Sequence, residues 1–284
     1  MTGAAAAPAL PFSGRERWLG YTLLVLAVLC VVGPFLWIFV NSLKQQIAIL
    51  TGAWVFEPTL ANYAEVLFGR RSDFAGNVRN SAIVAATSTA LVLVIGTLAA
   101  YSLYRFAWAR WVSTAFLGWT LVFHMIPVLT LVGPWYLAYR ELGWYDTLGG
   151  LVLTHVTINL PMTVWLMMAY FRDIPPELHE AAHIDGCGPL EAFWHVALPL
   201  ATPGLIAAGI LAFIFSWNEF SIALNLTSRD TATVPVAIAR FAQQYEVQHS
   251  QMAAAAVLST LPALLLMALG QRFVVRGLTL GAVK

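Results

Sequence analysis

Long apolar stretches separated by polar segments dominate the chain. The first covers residues 19–40, and five others cover residues 81–103, 112–132, 149–169, 205–226 and 253–269. A helix needs about 20 apolar residues to cross the hydrocarbon core of a bilayer. The stretches lack the alternation of a barrel strand, and helices satisfy their own backbone polar groups in lipid. The pattern therefore predicts an all-α integral membrane protein with six transmembrane helices.

Composition supports a membrane protein and narrows its partners. Hydrophobic residues make up 60% of the 284 residues and charged residues only 10%, whereas a soluble domain carries about 25% charged residues. A soluble core of this size could not bury so much apolar surface. The net charge of +1 argues against a nucleic-acid partner. The two cysteines do not indicate a disulfide framework, and no cluster of Cys and His has metal-ligand spacing apart from the string from His179 to His183, considered below. Membrane lipid is the expected surrounding.

The ends of the chain lead to two further expectations. Residues 1–14 are rich in Ala, Pro and Gly and predict a flexible N-terminal tail, with the transmembrane domain at 15–284. The run 19–40 is too long for a signal-peptide core and has no A-x-A site after it, which predicts an uncleaved first span.

Basic residues in the loops do not decide the orientation of the six spans. With the N-terminus inside, the inner segments would hold eight basic residues: Arg15, Arg17, Arg105, Arg110, Arg172, Arg272, Arg276 and Lys284. The outer segments would hold seven: Lys44, Arg70, Arg71, Arg79, Arg140, Arg229 and Arg240. Because the positive-inside rule needs a clear excess, this comparison leaves the orientation open.

The polar segment 172–200 between the fourth and fifth spans predicts a short helix. Pro175 and Pro176 suit a helix start, and Glu177 suits the positive end of its dipole. Gly186 suits its end, with Gly188 and Pro189 following. One face would hold small or short side chains: Leu178, Ala181, Ala182 and Asp185. Such a helix suits docking into a groove on a partner. A helix resting on lipid headgroups is less consistent with its scarcity of Lys and Arg.

The same segment resembles the EAA loop of ABC importer permeases, whose pattern is E-A-A-x3-G-x9-I-x-L-P. Here Glu180-Ala181-Ala182 is followed by Gly186, Val196 and Leu198-Pro199 at matching spacing, with Val in place of Ile. The resemblance implies a cytoplasmic loop that docks onto an ATPase subunit. It also implies that both termini are cytoplasmic in a multi-pass protein of the prokaryotic inner membrane. The implied coupling residues are Glu180, Ala181, Ala182, Asp185 and Gly186.

Further strings resemble the second permease of maltose-type carbohydrate importers. They are Asn80-Ser81, Ala100-Tyr101-Ser102-Leu103-Tyr104-Arg105-Phe106, Ile184-Asp185-Gly186, Trp217-Asn218-Glu219-Phe220 and the tail 277–284. One departure is His183, where the family commonly has Arg. The resemblance implies three kinds of partner: a second permease, ATPase subunits and an extracytoplasmic solute-binding protein approached by the loop 225–251.

The chain has no Walker A pattern, so it is not expected to hydrolyse ATP by the usual P-loop route. The resemblance implies that ATP and magnesium bind to the partner ATPase and that this chain has no cofactor of its own. ATPase closure would then push on the loop and rotate the spans as rigid bodies between inward-open and outward-open states.

Glu219 is the only carboxylate inside a predicted span. Because an ionisable group in a membrane is costly, it faces protein or water. It could line a substrate pathway together with Asn218 and Asn159, or it could make a hydrogen bond between helices; the sequence leaves both open. His124 and His155 also fall in spans, where we expect packing histidines and no substrate ligands.

Three alternative functions are compatible with parts of the sequence. An importer of glycerol phosphate would favour Arg or Lys inside the spans, and none is there. An ion-coupled secondary transporter could use Glu219 as its coupling acid, although such folds often show internal repeats that are not visible here. A zinc protease would use the string from His179 to His183, which fits H-E-x-x-H, but the Gly and Leu-Pro spacings have no meaning for a protease.

Overall fold

The computed structural model describes residues 14–70, 72–106, 108–242 and 247–279. Its regular structure consists of helices α1 (Gly14–Ser42), α2 (Gln46–Leu50), α3 (Ala61–Phe68), α4 (Phe74–Arg105), α5 (Arg110–Met125), α6 (Val128–Leu142), α7 (Leu148–Arg172), α8 (Pro176–Ile184), α9 (Pro189–Ala192), a π-helical turn (Phe193–Ala197), α10 (Leu198–Trp217), α11 (Ser221–Leu226), α12 (Val234–Ala239) and α13 (His249–Thr279). Apart from Gly14, the predicted N-terminal tail lies outside these residues.

Five helical segments in the described residues are long and apolar enough to cross a membrane: Arg17–Ser42, Phe74–Arg105, Leu148–Arg172, Pro189–Trp217 and His249–Gln271. The bent pair formed by α5 and α6 passes the same test when its two helices are counted as one span. The prediction of an all-α protein with six spans agrees with this arrangement.

Two spans differ from the continuous helices predicted by their apolar content. The stretch 112–132 breaks after Met125, and the axes of α5 and α6 differ by 99°. Pro127 stands at the break, where it cannot donate a backbone hydrogen bond. The stretch 205–226 stops being one helix at Trp217, and the chain turns before α11 begins at Ser221.

Helices α4, α7 and α10 pack against one another and form the centre of the bundle. Gly96 allows α4 to approach α7 closely, since a Cβ atom there would lie only 2.8 Å from Cγ2 of Thr163. Small residues at such crossings are typical of membrane helix packing. Helix α1 packs against α13, and most of its side chains are exposed in the single chain.

The bundle has two ends with different connections. Helix α4 begins beside the chain segment 230–234, to which Asn77 and Asn80 bind, and ends beside Pro189. We call these the α12 end and the α8 end. The α8 end holds a buried aromatic cluster that includes Tyr101, Phe171 and Phe193.

Candidate functional site

Helix α8 has well-defined ends. It begins at Pro176, with Pro175 at the N-cap position and Glu177 in the first turn. Gly186 follows its C-terminal end with a φ of 88°, in the left-handed region that favours glycine. Cys187 N donates to Ala182 O at 2.9 Å and Gly186 N donates to His183 O at 3.1 Å, which is the Schellman pattern of a helix end. The short helix predicted from the sequence is therefore present, and it stops where predicted.

One face of α8 packs on the bundle. The side chain of His179 is buried, with its ring centroid 6.3 Å from that of Tyr101 and 5.9 Å from that of Tyr104. Tyr101 Oη also donates to Pro189 O at 3.2 Å, just beyond α8. Both tyrosines belong to the string 100–106 at the end of α4. This string therefore forms the surface on which the loop 172–200 rests.

The other face of α8 is exposed at the α8 end. Glu180, Ala181, Asp185 and Gly186 lie on this surface, as do the large apolar side chains of Leu178 and Ile184. Ala182, by contrast, is buried against the bundle together with His179. The sequence analysis predicted that Ala181 and Ala182 share one docking face. In the structure Ala181 is exposed, whereas Ala182 is buried. Four of the five proposed coupling residues thus remain accessible to a partner in this structure.

The H-E-x-x-H string does not form a metal site among the described residues. His179 is buried, and neither of its ring nitrogens has a hydrogen-bond partner among the residues that the structure describes, whereas His183 is exposed. The described residues contain no group of three or more His, Cys, Asp or Glu that could hold a metal, and a catalytic zinc needs three protein ligands. Burial lowers the pKa of His179 below its ordinary value, and the Arg105 charge lowers it further.

A buried polar cluster connects three spans near the centre of the bundle. His155 Nδ1 of α7 lies 2.5 Å from Ser216 Oγ of α10, and Ser216 Oγ lies 3.1 Å from Ser88 Oγ of α4. All three side chains are buried. His155 therefore packs between helices, in agreement with the sequence prediction, while His124 is exposed on α5.

Glu219 lies beside this cluster, in the turn between α10 and α11. Its carboxylate accepts hydrogen bonds from Ile222 N at 2.8 Å and Ala223 N at 3.0 Å, in the first turn of α11. Its Oε2 lies 3.8 Å from Nε2 of His155, and its side chain is 11% exposed. A carboxylate at a helix N-terminus satisfies free N–H groups and complements the helix dipole. In this geometry, Glu219 is a helix cap that also faces a neighbouring span.

The other two residues proposed for a substrate pathway have different surroundings. Asn159 is buried on α7, and its Nδ2 donates to His155 O on the same helix at 2.9 Å. Asn218 is exposed next to Glu219. The structure thus places Asn218, Glu219 and His155 near one another at the break after α10, but Asn159 makes its described hydrogen bond within its own helix.

At the α12 end, polar side chains of α4 hold the segment that precedes α12. Asn80 Nδ2 donates to Asp230 O at 2.8 Å and to Ala232 O at 3.1 Å, and Asn77 Nδ2 donates to Ala232 O at 3.0 Å. Ser81 Oγ accepts from Val234 N at 2.8 Å. These contacts give the Asn80-Ser81 string a structural role, because they fix a connecting segment to a membrane span.

Asp146 binds residues just before and at the start of this segment, and it was missed in the sequence analysis. Its carboxylate accepts from Ser228 N at 2.7 Å and from the hydroxyls of Ser228 and Thr231. Burial alone would raise the pKa of Asp146, but these hydrogen bonds lower it below its ordinary value on balance. The residue has a φ of 57°, which is uncommon outside glycine. An Asp in a turn before a helix was the only available indication.

The loop 225–251, expected to approach a solute-binding protein, is described in part. Arg229 forms an exposed ion pair with Asp73, with Nη2 and Oδ2 separated by 2.8 Å. This pairing raises the pKa of the guanidinium. Gln243, Gln244 and Tyr245 lie outside the described residues.

Residues 92–280 match the family of binding-protein-dependent transport system inner membrane components. The chain belongs to this family, and it is therefore a multi-pass permease of the inner membrane and not a catalytic enzyme. The match contains the loop 172–200 and the turn at Glu219.

Curated relatives extend the likeness over nearly the whole chain. The trehalose transport system permease protein SugB of Mycobacterium tuberculosis is 38% identical over 255 residues, which are 88% of this chain and 92% of that protein. The trehalose/maltose transport system permease protein MalG of Thermococcus litoralis is 35% identical over 265 residues, or 92% and 94% of the two chains.

Solved structures share the fold. A chain of a bacterial ABC transporter that imports the acidic polysaccharide alginate superposes with a TM-score of 0.76 at 23% identity. The superposition covers 93% of this chain and 99% of that chain. At this level of identity, the likeness concerns the fold alone.

Proposed function

We propose that this chain is one of two permease subunits in an ATP-driven importer of a sugar or oligosaccharide. The observation that carries the proposal is α8, a short helix that is packed on the bundle by one face and exposes Glu180 and Asp185 on the other. Relatives named for transport of trehalose, maltose and diacetylchitobiose support sugar as the substrate class.

The proposed assembly has three kinds of partner. A second permease would complete the pathway, an extracytoplasmic solute-binding protein would deliver the sugar, and ATPase subunits would bind ATP and magnesium. In this assembly the α8 end and both termini face the cytoplasm. The exposed Leu178 and Ile184 beside the carboxylates give α8 the mixed apolar and acidic surface that suits a protein groove.

The contacts of α8 suggest how force would reach the membrane. A displacement of α8 would act on Tyr101 and Tyr104 of α4 through the buried His179 ring. It would also act on α7, since Phe171 packs against Tyr101 at 5.4 Å between ring centroids. Because α4 and α7 form the centre of the bundle, the two spans would move together as a rigid body.

The test is co-purification in mild detergent followed by reconstitution and an ATPase assay. Glu180→Ala removes an exposed carboxylate of α8, and Gly186→Ala strains the left-handed turn by about 1–2 kcal/mol. We expect both variants to keep the fold but to lose ATPase activity stimulated by the solute-binding protein. Glu141→Gln, at an exposed carboxylate outside this loop, is the matched control and should leave stimulation intact.

Two results would contradict the proposal. One is a chain that moves solute with an ion gradient and no ATPase. The other is full stimulation in both α8 variants after their assembly with the ATPase has been verified.

A further inference from the structure

A cavity of about 610 Å³ lies between the C-terminal part of α1, the segment containing α2, and the start of α13. Its polar lining consists mainly of Asn41, Lys44 and His249, and its apolar lining includes Trp37, Trp54 and Met252. None of the described residues that line it is Asp or Glu. The cavity therefore combines apolar walls with a positively charged side chain.

Lys44 is a buried cation that does not use all of its hydrogen-bonding capacity on the residues that the structure describes. The residue is only 5% exposed, and its Nζ donates to Ala53 O at 2.9 Å. The ammonium lies 4.9 Å from the ring centroid of Phe56 and 5.6 Å from that of Trp37. In the part of the chain that the structure describes, basic and acidic side chains contact each other at His155 with Glu219 and at Arg229 with Asp73, and neither contact includes Lys44.

A buried ammonium is costly unless oxygen atoms and opposite charge surround it. An ammonium has three donors, and one carbonyl together with two aromatic faces does not supply a counter-charge. The cavity is the space beside Lys44 from which an anionic group could reach it. An anion with acceptor oxygens, such as a phosphate, would supply both missing components.

The surroundings of the cavity indicate that this anion belongs to a lipid. Lys44 follows directly after the apolar span α1, where the chain leaves the hydrocarbon region. Ile47, Leu50 and Trp54 expose large apolar side chains beside it, as expected for a segment at the membrane interface. A free anion would leave the apolar walls uncovered, whereas an acyl chain would fill them.

We propose that this cavity binds a phospholipid with an anionic headgroup, with its phosphate beside Lys44, Asn41 and His249 and an acyl chain along Trp37 and Met252. The proposal rests on the geometry of the cavity and is independent of the transport function. Bound lipid would connect α1 to α13 and would link the permease to the anionic lipid content of its membrane.

The experiment uses the full chain, with any subunits that co-purify, reconstituted in nanodiscs of equal parts phosphatidylcholine and phosphatidylglycerol. Native mass spectrometry after extraction counts the lipids that stay bound. We expect wild type to retain phosphatidylglycerol in preference to phosphatidylcholine. Lys44→Gln should lower the retention of phosphatidylglycerol about tenfold, as expected for loss of one charge-assisted contact of about 1.4 kcal/mol.

Three further variants test whether the charge of Lys44 and the volume of the cavity, and not a general change in the protein, determine lipid retention. Lys44→Arg keeps the charge and should keep the lipid. Arg79→Gln removes an exposed charge from α4 and should also leave retention unchanged. Ala256→Leu narrows the cavity without touching Lys44 and should lower retention, so the proposal stays testable if Lys44→Gln does not fold.

Equal retention of the two lipids by wild type would overturn the proposal, as would undiminished retention in both Lys44→Gln and Ala256→Leu. Binding of inorganic phosphate by wild type without retention of phosphatidylglycerol would also overturn it, because the site would then bind a free anion and not a lipid.

Discussion

Replacement of Glu219 is expected to unfold the start of α11 without unfolding the bundle. The carboxylate accepts from Ile222 N and Ala223 N at 2.8 and 3.0 Å. Hydrogen bonds to a charged group contribute about 1.5–3 kcal/mol each, so Glu219→Ala should cost about 3–6 kcal/mol locally. Glu219→Gln keeps one side-chain oxygen as acceptor and should cost about half as much.

Hydrogen exchange of the amides of Ile222 and Ala223 measures this cost directly. Local opening controls their exchange, and each 1.4 kcal/mol corresponds to a factor of about ten. We expect exchange at these two amides to rise at least about a hundredfold in Glu219→Ala and about tenfold or more in Glu219→Gln. Asn218→Ala, at the exposed neighbouring position, is the control and should leave both amides protected.

The outcome decides between two roles of Glu219. Unchanged protection in Glu219→Ala would refute the capping argument. If transport were lost at the same time, Glu219 would have to act on substrate or on a proton. Increased exchange, with transport lost in Glu219→Ala but retained in Glu219→Gln, would support a cap that holds the turn after α10. It would also argue against a coupling acid, since Gln cannot exchange a proton.

Three further predictions concern packing and pH. Gly96→Ala should lower the melting temperature of the purified protein, because overpacking against α7 costs about 1–3 kcal/mol, whereas Gly118→Ala, with open space around it, should not. The lowered pKa of Asp146 contributes to the free energy of unfolding above its ordinary pKa of about 3.9, and this contribution is lost as pH falls through the folded-state pKa. Asp146→Asn should remove this pH dependence of the melting temperature. The lowered pKa of His179 means that the packing of α8 is fully stable above about pH 6.5 and weakens below it. Hydrogen exchange of α8 should show this in wild type and in the exposed control His183→Gln, but not in His179→Gln.

The helical architecture and α8 could be predicted because each depends on local properties of the chain. Helices of about 20 apolar residues are long enough to cross a bilayer. Pro176 and Gly186 fix the two ends of α8 through their backbone conformations. The burial of Ala182 beside the exposed Ala181 could not be predicted in the same way. Which face of a short helix is buried depends on the tertiary contacts of Tyr101 and Tyr104.

The breaks in two spans show a second limit of predicting membrane helices from the number of consecutive apolar residues. Hydropathy treats residues 205–226 as one segment, although Glu219 within it can satisfy backbone N–H groups and begin a new helix. Pro127 marks the other break. A carboxylate or a proline inside an apolar run changes which backbone groups form hydrogen bonds but hardly changes the mean hydropathy. The residues that cause both breaks can therefore be seen in the sequence, but the breaks themselves become visible only in the hydrogen-bond pattern of the structure.

Helix α4 provides a physical reason why separate strings in the sequence would act together in the proposed importer. Its first turns hold Asn80 and Ser81 against the segment before α12, and its last turns hold Tyr101 and Tyr104 against α8. The helix rises through 21 residue steps from Asn80 to Tyr101, which span about 32 Å at 1.5 Å per residue. A helix that is fixed at both ends moves both when either is displaced, so ATPase action on α8 in the proposed importer would reposition the loop at the α12 end without any intervening chain of small adjustments.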